Sequence, residues 1–593
     1  MYQIVASGDK SVRRPHPRIQ VSERQRYVLS TVRLFLLAFV VGILVGGAAD
    51  AFRWLLPHTN QLFFGTFHAA DVGVGSMSYV LQRPYIIVFP AFGGLLVGVF
   101  LHFFPQARGH GVAEVLAAIE TRGNRIAPQV SAYTAIASSL TIGSGGSAGP
   151  EGPAIQIGAA LGSGIGQWFN LPLDDLRTLL ACGAATGLAA LYNAPLAGTL
   201  FAVEVLLEEI RPQRFALIAL SAVAGHYVAT HLIVSQSLVN LNLRQAAWES
   251  IPLDLLLGLL AAPLGVGFLL LLHRIAEFAG ETHVWPWVRP AIGGLVVGLI
   301  GLFVPRILGT GEDTIRQAVL GDLPFLLLLI LPLLKLTATA VTLGSGGSGG
   351  VFTPSLFMGA TLGAAYGTIV HHFAPGLASP GAYAMVGMGT VIASAVNAPL
   401  TAILIVVEFT GDFQLLPGLV TAIAGSVLLA RYLYPESIYT LPLVLRGIQR
   451  APLARNPLAG VRVRQALRTN WPTVGPDTPL QEILATGRTN RETVLPVVDT
   501  DGRLRGLIQM ADVAQAVAGQ GTAAALEGGA GDFARAPVVT AHPGETLHDV
   551  LRRAGAADME VIPVLGGEDR YLGVLERAAM LRIYSQQSMT KPG

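Results

Sequence analysis

The sequence predicts an all-α polytopic membrane protein with duplicated halves and broken helices, followed by a smaller soluble α/β region. Of the 593 residues, 52% are hydrophobic and only 13% are charged, with a mean hydropathy of +0.55; soluble domains carry roughly 25% charged residues. Two glycine-rich breaks in the apolar sequence repeat each other 201 residues apart. Frequent charges and strand patterns return only near Arg446.

The composition also excludes several classes of protein. A net charge of +2 leaves no dense basic face for nucleic acid. The single cysteine, Cys182, has no partner for an intramolecular disulfide. No His-Glu-x-x-His motif or other metal cluster is present in the sequence. We therefore expect no metal, no required cofactor and no enzymatic activity.

The N-terminal segment, residues 1–28, is basic and precedes an apolar run from Leu34 to Leu56. This run is longer than the about 7 to 15 residues of a signal-peptide core, and no small-residue cleavage site follows it. The segment is therefore not a cleavable signal, and the positive-inside rule places it in the cytoplasm. We expect a multi-pass protein of the cytoplasmic (inner) membrane with both termini in the cytoplasm.

Apolar stretches follow one another to about residue 435. They are residues 34–56, 84–104, 127–142, 176–191, 214–233, 252–275, 289–307, 322–343, 355–370, 382–409 and 414–434. Several are shorter than the about 20 residues that a spanning helix needs, or contain Gly and Pro. Broken helices are tolerated in lipid only where they line a protein-enclosed cavity. The breaks at 143–153 and 344–354 are the expected positions of that cavity.

The two breaks belong to an internal duplication. The thirteen residues from Gly146 align without gaps on those from Gly347. The motif Asn-Ala-Pro-Leu at 193–196 recurs at 397–400, and each copy precedes an apolar helix with one glutamate, Glu204 or Glu408. Two homologous halves, about 30–230 and 250–435, follow from these offsets. Interrupted helices in corresponding positions of two halves are typical of transporters with a site at the membrane midplane.

The sequence of the two glycine-rich breaks favours the binding of an anion. A helix N-terminus has unpaired N–H groups and a partial positive charge. Gly-Pro-Glu-Gly-Pro at 149–153 and Gly-Val-Phe-Thr-Pro at 350–354 both end in a proline that suits a first helical turn. Two such termini facing each other form an anion cradle without a fixed cationic side chain, which lets the ion leave again.

Glu151 places a carboxylate inside this predicted cradle. In its ionised form it competes with a transported anion, and in its protonated form it swings away; ionisable residues at membrane depth are functional hypotheses by default. The alternative is that Glu151 only stabilises the start of its helix through the helix dipole.

The first 445 residues resemble the CLC family of chloride channels and chloride/proton antiporters. The motifs that carry the resemblance are Gly-Pro-Glu-Gly-Pro at 149–153, Gly-Gly-Val-Phe-Thr-Pro at 349–354, Asn-Ala-Pro-Leu-Ala-Gly at 193–198, Asn-Ala-Pro-Leu-Thr-Ala at 397–402 with Glu408, and Ser-Ile-Tyr at 437–439.

The resemblance implies an inverted-repeat transport domain over residues 29–447 and a homodimer in the lipid bilayer with one anion pathway per subunit. It makes Glu151 the external gate and Tyr439 the cytoplasmic closure of the site. The anion-binding residues that it implies are His110, Gly111, Val112, Gly152, Val351, Phe352 and Tyr439. Without the resemblance, Tyr439 would be interpreted as a tyrosine of the interfacial belt.

Three departures from the family pattern bear on function. The first anion loop reads Gly-His-Gly-Val-Ala at 109–113 instead of Gly-Ser-Gly-Ile-Pro. His110 either donates a hydrogen bond to the anion or turns aside into a vestibule. The second departure is Pro150, where an arginine commonly precedes the gate glutamate. The first departure bears on the expected preference for chloride, whereas the second removes a positive charge but no backbone feature shown to be essential.

The third departure concerns protons. Antiporters of the family usually carry two successive glutamates where this chain has Glu204 and Val205. Glu208 and Glu209 lie one turn further along and are candidates for an internal proton path together with Glu204. The alternative is that Glu208 and Glu209 are solvated helix-end residues.

The C-terminal region repeats with an offset of 67, which relates Pro476 to Pro543 and Gly506 to Gly573. It resembles a tandem CBS pair, about 462–518 and 531–584, a module that in many proteins binds adenine nucleotides. Asp512 stands where that family places a ribose-binding aspartate, but Gln509 replaces the usual threonine. A nucleotide site and a purely structural, dimer-stabilising module both stay open.

The expected function is transmembrane transport of chloride or a similar small anion, gated by a protonatable glutamate, as chloride/proton antiport or proton-gated flux. The alternative is a passive voltage- or pH-gated chloride channel without proton coupling. Two remote alternatives are a membrane-anchored adenine-nucleotide sensor and an intramembrane hydrolase using Ser144, Ser147 and His110.

Overall fold

The computed structural model describes residues 23–65, 85–109, 111–232, 248–448, 461–490, 492–520, 529–537, 539–554 and 560–589. His110 and residues 1–22 of the predicted N-terminal segment lie outside them. The chain divides into two compact units, Met1–Arg450 and Ala451–Gly593.

The described part of the first unit is helical. Its first half contains α1 (Glu23–Phe64), α2 (Tyr85–Phe103), α3 (Val112–Thr121), α4 (Gln129–Gly143), α5 (Glu151–Trp168), α6 (Leu173–Tyr192), α7 (Pro195–Phe201) and α8 (Pro212–Leu232). Its second half contains α9 (Ile251–Glu281), α10 (Arg289–Phe303), α11 (Glu312–Leu320), α12 (Phe325–Gly344), α13 (Phe352–Phe373), α14 (Pro380–Val396), α15 (Pro399–Thr410) and α16 (Leu416–Leu433), followed by α17 (Leu441–Leu445).

Five helical segments of the described residues are long and apolar enough to cross a membrane. They are Thr31–Phe64, Tyr85–Phe103, Ile251–Glu281, Phe325–Gly344 and Phe413–Leu433. Other apolar helices are shorter, which confirms the prediction of broken helices. Two of them, Pro195–Leu207 and Pro399–Thr410, begin where a glutamate of the other half accepts first-turn N–H groups.

The order of the helices repeats between the halves, so that α1–α8 correspond to α9–α16. The halves are inverted relative to each other, as the packing of α2 on α10 illustrates. Gly98 of α2 packs against the backbone of Trp287, whereas Gly298 of α10 packs against Ile87 at the other end of the pair. The two helices therefore run antiparallel.

The corresponding helices α6 and α14 end at the same kind of residue. Asn193 and Asn397 adopt the left-handed conformation, with φ of 55° and 61°, at the C-terminal ends of α6 and α14. Pro195 and Pro399 then start α7 and α15, because proline suits a first helical turn but not a helix interior. The predicted apolar stretch 382–409 is therefore two helices.

The described part of the second unit contains α18 (Val463–Ala466), α19 (Leu480–Asn490), β1 (Val494–Val498), β2 (Leu504–Gln509), α20 (Met510–Gln520), α21 (Ala530–Phe533), α22 (Leu547–Ala554), β3 (Val561–Leu565), β4 (Tyr571–Glu576) and α23 (Arg577–Met589). Strands β1 and β2 pair antiparallel, as do β3 and β4. Leu495 faces Ile508 in the first pair, and their counterparts 67 residues later, Ile562 and Leu575, face each other in the second. The α/β repeat predicted from the sequence is confirmed.

Candidate functional site

The two glycine-rich breaks contact each other through matched hydrogen bonds. The Ser147 N–H donates to Thr342 Oγ1 (3.0 Å), and the Ser348 N–H donates to Thr141 Oγ1 (3.1 Å). The Ser147 hydroxyl lies 2.9 Å from that of Thr339, and the bonds use residues at the same 201-residue offset as the sequence repeat. Because these groups are buried and paired, they fix the two breaks against each other.

These bonds also bear on the hydrolase alternative. The Ser144 hydroxyl donates to the Thr141 carbonyl oxygen (3.1 Å), and the Ser147 hydroxyl is bonded to Thr339. Both serines are thus engaged in the scaffold. His110, the imagined base, lies outside the described residues.

The backbones of the two breaks meet at Gly149 and Gly350. The N–H of each donates to the carbonyl oxygen of the other, at 2.8 and 2.6 Å. A Cβ on Gly350 would lie 2.7 Å from the Gly152 nitrogen, so a side chain does not fit there. The pair holds the start of α5 beside the start of α13.

A third helix starts at the same place. Gly111, with φ of 64°, precedes Val112 at the start of α3 and packs directly against the backbone of Gly152. The first-turn N–H groups of α3, α5 and α13 have no acceptors within their own helices and carry partial positive charge. Three N-termini therefore converge on one small region, as an anion site requires.

The Glu151 carboxylate lies within this region. Glu151 is 0% exposed and is the first residue of α5. The Thr353 N–H, in the first turn of α13, donates to Glu151 Oε1, and the Thr353 hydroxyl donates to Oε2 at 3.0 Å. A carboxylate from one half thus accepts hydrogen bonds from the helix start of the other half. This is more than dipole stabilisation of its own helix.

Three further predicted anion ligands, Val351, Phe352 and Tyr439, lie at or near the start of α13. Val351 and Phe352 are buried at the start of α13. Tyr439 is 2% exposed, and its ring lies edge-on to Phe201, with centroids 6.5 Å apart. Phe201 in turn lies 6.0 Å from Phe352. Tyr439 is therefore enclosed by protein, unlike a belt tyrosine whose ring faces lipid or water.

A buried lysine near the site was missed from the sequence. Lys335 of α12 donates to the carbonyl oxygens of Ile307 (3.0 Å) and Gly309 (2.8 Å), and its ammonium lies 5.1 Å from the Phe357 ring centroid. Lys335 is therefore a fully buried side chain that packs on Phe357 of α13, and an isolated lysine in an apolar helix gave no signal of this in the sequence.

In the second unit, two arginines 67 residues apart each pair with an acid of the other repeat. Asp512 lies 3.2 Å from Arg535, and Arg468, 67 residues before Arg535, lies 2.6 Å from Glu576. Arg468 also lies 3.5 Å from Glu492, whose carboxyl pKa is raised by partial burial although Arg468 opposes the rise. Asp512 is thus beside a cationic side chain suited to a phosphate group.

Comparison with known proteins decides the family. The family model described as voltage gated chloride channel matches residues 93–431. The chain belongs to the CLC family. The model for the CBS domain matches residues 463–519 and 530–586, so the tandem CBS pair is also present.

Curated relatives agree with this membership. The voltage-gated ClC-type chloride channel ClcB of Escherichia coli O17:K52:H18 (strain UMN026 / ExPEC) is 35% identical over 418 residues, which are 69% of this CLC chain and 98% of the relative. ClcB of Escherichia coli O9:H4 (strain HS) is 34% identical over 415 residues, with the same coverage.

Solved CLC structures share the fold. A slow cyanobacterial Cl⁻/H⁺ antiporter matches with 23% identity and a TM-score of 0.63, over 71% of this chain and 99% of that one. A eukaryotic CLC transporter matches with 21% identity and a TM-score of 0.60, over 93% of this chain and 98% of that one. The names of these proteins describe channels and transporters, not enzymes.

Glu204 of this CLC protein, a candidate for the internal proton path, has the same kind of partners as its repeat counterpart Glu408. Glu204 Oε1 and Oε2 accept the N–H groups of Leu400 (3.0 Å) and Thr401 (2.8 Å), at the start of α15. Glu408 accepts the N–H groups of Leu196 (3.0 Å) and Ala197 (2.7 Å), at the start of α7. Each glutamate therefore caps a helix of the other half.

The two remaining candidates follow a short π-helix, Ala202–Leu207, that ends α7. Glu208 is exposed. Glu209 is ion-paired with Arg211 and lies 3.6 Å from Arg214. Val205 is buried and apolar. The part of Glu204, Glu208 and Glu209 in proton transfer stays a prediction.

Proposed function

We propose that this CLC protein transports chloride, or a similar small monovalent anion, along a pathway that the Glu151 carboxylate gates through its protonation. When Glu151 is ionised, its carboxylate occupies the anion cradle and blocks the path. When it binds a proton, it loses its charge-assisted bonds to α13 and leaves, and an anion takes its place. Anion and proton thus compete at one site.

The observation that carries the proposal is the position of the Glu151 carboxylate. It is fully buried, it starts α5, and it accepts both donors of Thr353 at the start of α13. An anion is stabilised by the same N–H dipoles and hydroxyl as the carboxylate, and the tether keeps that carboxylate available as a competitor.

The remaining ligands follow from the same geometry. We assign the anion site to the first-turn backbone at Gly111, Val112, Gly152, Val351 and Phe352, with Tyr439 on its cytoplasmic side; His110 is included from the sequence alone. The buried Lys335 is not a ligand in this proposal, because its Nζ already donates to the carbonyl oxygens of Ile307 and Gly309. Weak binding to backbone dipoles permits release.

Transport in liposomes tests the proposal. Purified full-length protein is reconstituted with an outward chloride gradient, and chloride efflux and external pH are recorded with and without a protonophore. Chloride-driven uptake of protons against their gradient, lost in Glu151→Gln while chloride still flows, supports proton-linked gating by Glu151. Efflux of wild type and Glu151→Gln with the same pH dependence would remove Glu151 from the gate.

A passive channel is the second candidate, because Val205 is buried and apolar where antiporters of the family carry an acid, and Glu209 is engaged with two arginines. A channel passes chloride without moving protons uphill. In the same liposomes, chloride efflux that drives no proton uptake supports the channel, whereas uptake at a fixed ratio to chloride supports antiport.

The assembly and orientation are part of the proposal. We infer a homodimer in the inner membrane with one pathway in each subunit and both termini in the cytoplasm. Mass measurement in nanodiscs tests the dimer. A protease applied to inside-out vesicles, but not to intact cells, is expected to digest a peptide tag fused to either terminus.

We propose an adenine nucleotide as ligand of the CBS pair, held by Asp512 and by Arg535 beside it. Asp512→Asn is expected to weaken ATP binding to the full chain. The matched control is Asp501→Asn, at an exposed position, which should leave ATP binding unchanged. If the wild type binds no ATP, the CBS pair is a structural module.

The sensor alternative, in which the membrane unit is only an anchor, has its own test. Transport that survives truncation after residue 450 rules it out.

A further inference from the structure

A chain of three side chains ends at the Glu151 carboxylate. Tyr192, the last residue of α6, places its hydroxyl oxygen 2.7 Å from Thr353 Oγ1. Thr353 Oγ1 lies 3.0 Å from Glu151 Oε2. The chain therefore runs from the end of one helix, through the start of α13, to the gate.

The direction of both hydrogen bonds follows from chemistry. An ionised carboxylate has no proton to give, so the Thr353 hydroxyl must donate to Glu151. That hydroxyl has one proton, so its oxygen accepts from Tyr192. The Tyr192 hydroxyl consequently fixes the rotation of the Thr353 O–H and aims it at the space that the carboxylate fills.

Tyr192 is itself held in place by aromatic contacts. Its ring centroid lies 6.4 Å from that of Phe352 and 6.1 Å from that of Phe409, which meets it edge-on. A hydroxyl on a fixed ring is a pre-organised donor, and pre-organisation is what raises the electrostatic contribution of a donor in a site without bulk water.

Thr353 presents two donors to one point. Its backbone N–H and its side-chain O–H both donate to Glu151, and the residue is 1% exposed. When the carboxylate leaves, the backbone N–H loses its acceptor, and so does one proton of the bonded hydroxyl pair of Tyr192 and Thr353, which is costly because an unsatisfied buried donor loses its hydrogen bond to water. A small anion in the vacated space satisfies both at once.

We propose that the Thr353 hydroxyl is a direct ligand of the transported anion in the position vacated by Glu151, and that Tyr192 is its positioning residue. The inference deepens the proposed function and rests on it. It adds a side-chain hydroxyl to a site that lacks the serine of the first anion loop. It also places that hydroxyl on the second half, because the equivalent residue of the first half is Gly152.

Chloride binding in a background without the gate tests the proposal. Calorimetric titration of full-length Glu151→Ala with chloride gives the reference affinity. Adding Thr353→Val keeps the shape of the side chain but removes the hydroxyl, and is expected to weaken binding about 10- to 100-fold, as for loss of a hydrogen bond to a charged group. Thr353→Ser, which restores the hydroxyl, should recover most of the loss.

Tyr192→Phe in the same background is expected to weaken binding roughly 2- to 10-fold, because the O–H of Thr353 is then free to rotate. This loss should vanish when Thr353 is already Val, since the tyrosine acts only through that hydroxyl. A separate Tyr192→Phe effect in the Thr353→Val protein would show that Tyr192 does not act through Thr353.

Unchanged chloride affinity in Glu151→Ala, Thr353→Val overturns the proposal and leaves Thr353 as a latch for the closed gate only. The failure of the proposed function is a different result: Glu151→Ala would then neither bind chloride nor change transport relative to the wild type. Size-exclusion profiles and thermal unfolding of each variant establish that the protein is folded.

Discussion

The connectors at residues 144–150 and 345–351 make matched hydrogen bonds to the opposite half, yet they lead into different first turns. Thr141 and Thr342 accept N–H groups across the interface in the same way, and Gly149 and Gly350 exchange two backbone bonds. After them, the first half continues with Glu151 and Gly152, whereas the second continues with Phe352 and Thr353. The scaffold is symmetric and the site is not.

This difference separates two kinds of residue. Residues that hold the two breaks together need the same chemistry in both halves, because each bond has an inverted counterpart. In the function that we propose, the residues at the helix starts share one anion position, so duplicating a carboxylate there would put two negative charges together. The structure shows the matching asymmetry: one half supplies the Glu151 carboxylate, and the other supplies the Thr353 donors that bind it.

The largest expected effect is at Glu151. Glu151→Gln should make chloride flux independent of pH, because the protonated fraction of a single carboxyl changes about tenfold per pH unit above its pKa and glutamine does not titrate. Liposome efflux measured at several pH values checks this. Glu312→Gln removes another carboxylate that interacts with Glu151 and should keep the pH dependence; loss of the dependence in that variant alone would move the gate to Glu312.

The next effect is steric. Gly350→Ala puts a methyl group 2.7 Å from the Gly152 nitrogen and 3.1 Å from the Gly149 carbonyl oxygen. We expect a loss of at least about 1–3 kcal/mol in stability together with loss of transport, because the helix starts must separate. Gly267→Ala, with nothing within 4 Å, is the control. If Gly350→Ala and Gly267→Ala unfold at the same temperature, the close approach of the two breaks is contradicted.

The scaffold bonds predict a smaller and symmetric loss. Thr141→Val and Thr342→Val each leave one buried serine N–H without its acceptor, so each should cost about 1–3 kcal/mol. Thermal unfolding of the two variants should agree within about 0.5 kcal/mol. A clear inequality would mean that the two breaks do not share one scaffold.

The smallest effects are expected at the reciprocal caps. Glu204→Gln and Glu408→Gln weaken charge-assisted caps and should each cost about 0.5–2 kcal/mol. Glu204 should cost more, because it also accepts from the Thr401 hydroxyl (2.7 Å). Thermal unfolding gives these losses. Proton uptake should be equal in both variants, whereas its loss in Glu204→Gln alone would make Glu204 a proton carrier.

Much of this arrangement could be predicted from the sequence, because the duplication itself is visible. The offset that aligns Gly146 with Gly347 also relates Ser147 to Ser348, whose N–H groups make the matched bonds. Glycine and proline mark the helix starts, so the breaks and the position of Glu151 follow from local chemistry. The strands Val494–Val498 and Val561–Leu565 follow from their apolar pattern.

The partners of these residues could not be predicted. Tyr192 meets Thr353 161 positions away, and Glu204 caps a helix 197 positions away. Nothing local distinguishes Tyr192 from a packing tyrosine, or Glu204 from a proton carrier, because only the tertiary packing of α6, α7, α13 and α15 brings the partner groups within bonding distance. The π-helix before Glu208 likewise has no sequence signal in a run of apolar residues.

The central claim is that the Glu151 carboxylate and the transported anion occupy one position. Anomalous diffraction from bromide-soaked crystals of the wild type and of Glu151→Gln tests it directly. A bromide peak within hydrogen-bonding distance of the Thr353 N–H and hydroxyl in Glu151→Gln, and none there in the wild type, is the predicted result. Bromide at that point beside the wild-type carboxylate, or bromide in the variant only at sites away from Thr353, would contradict it.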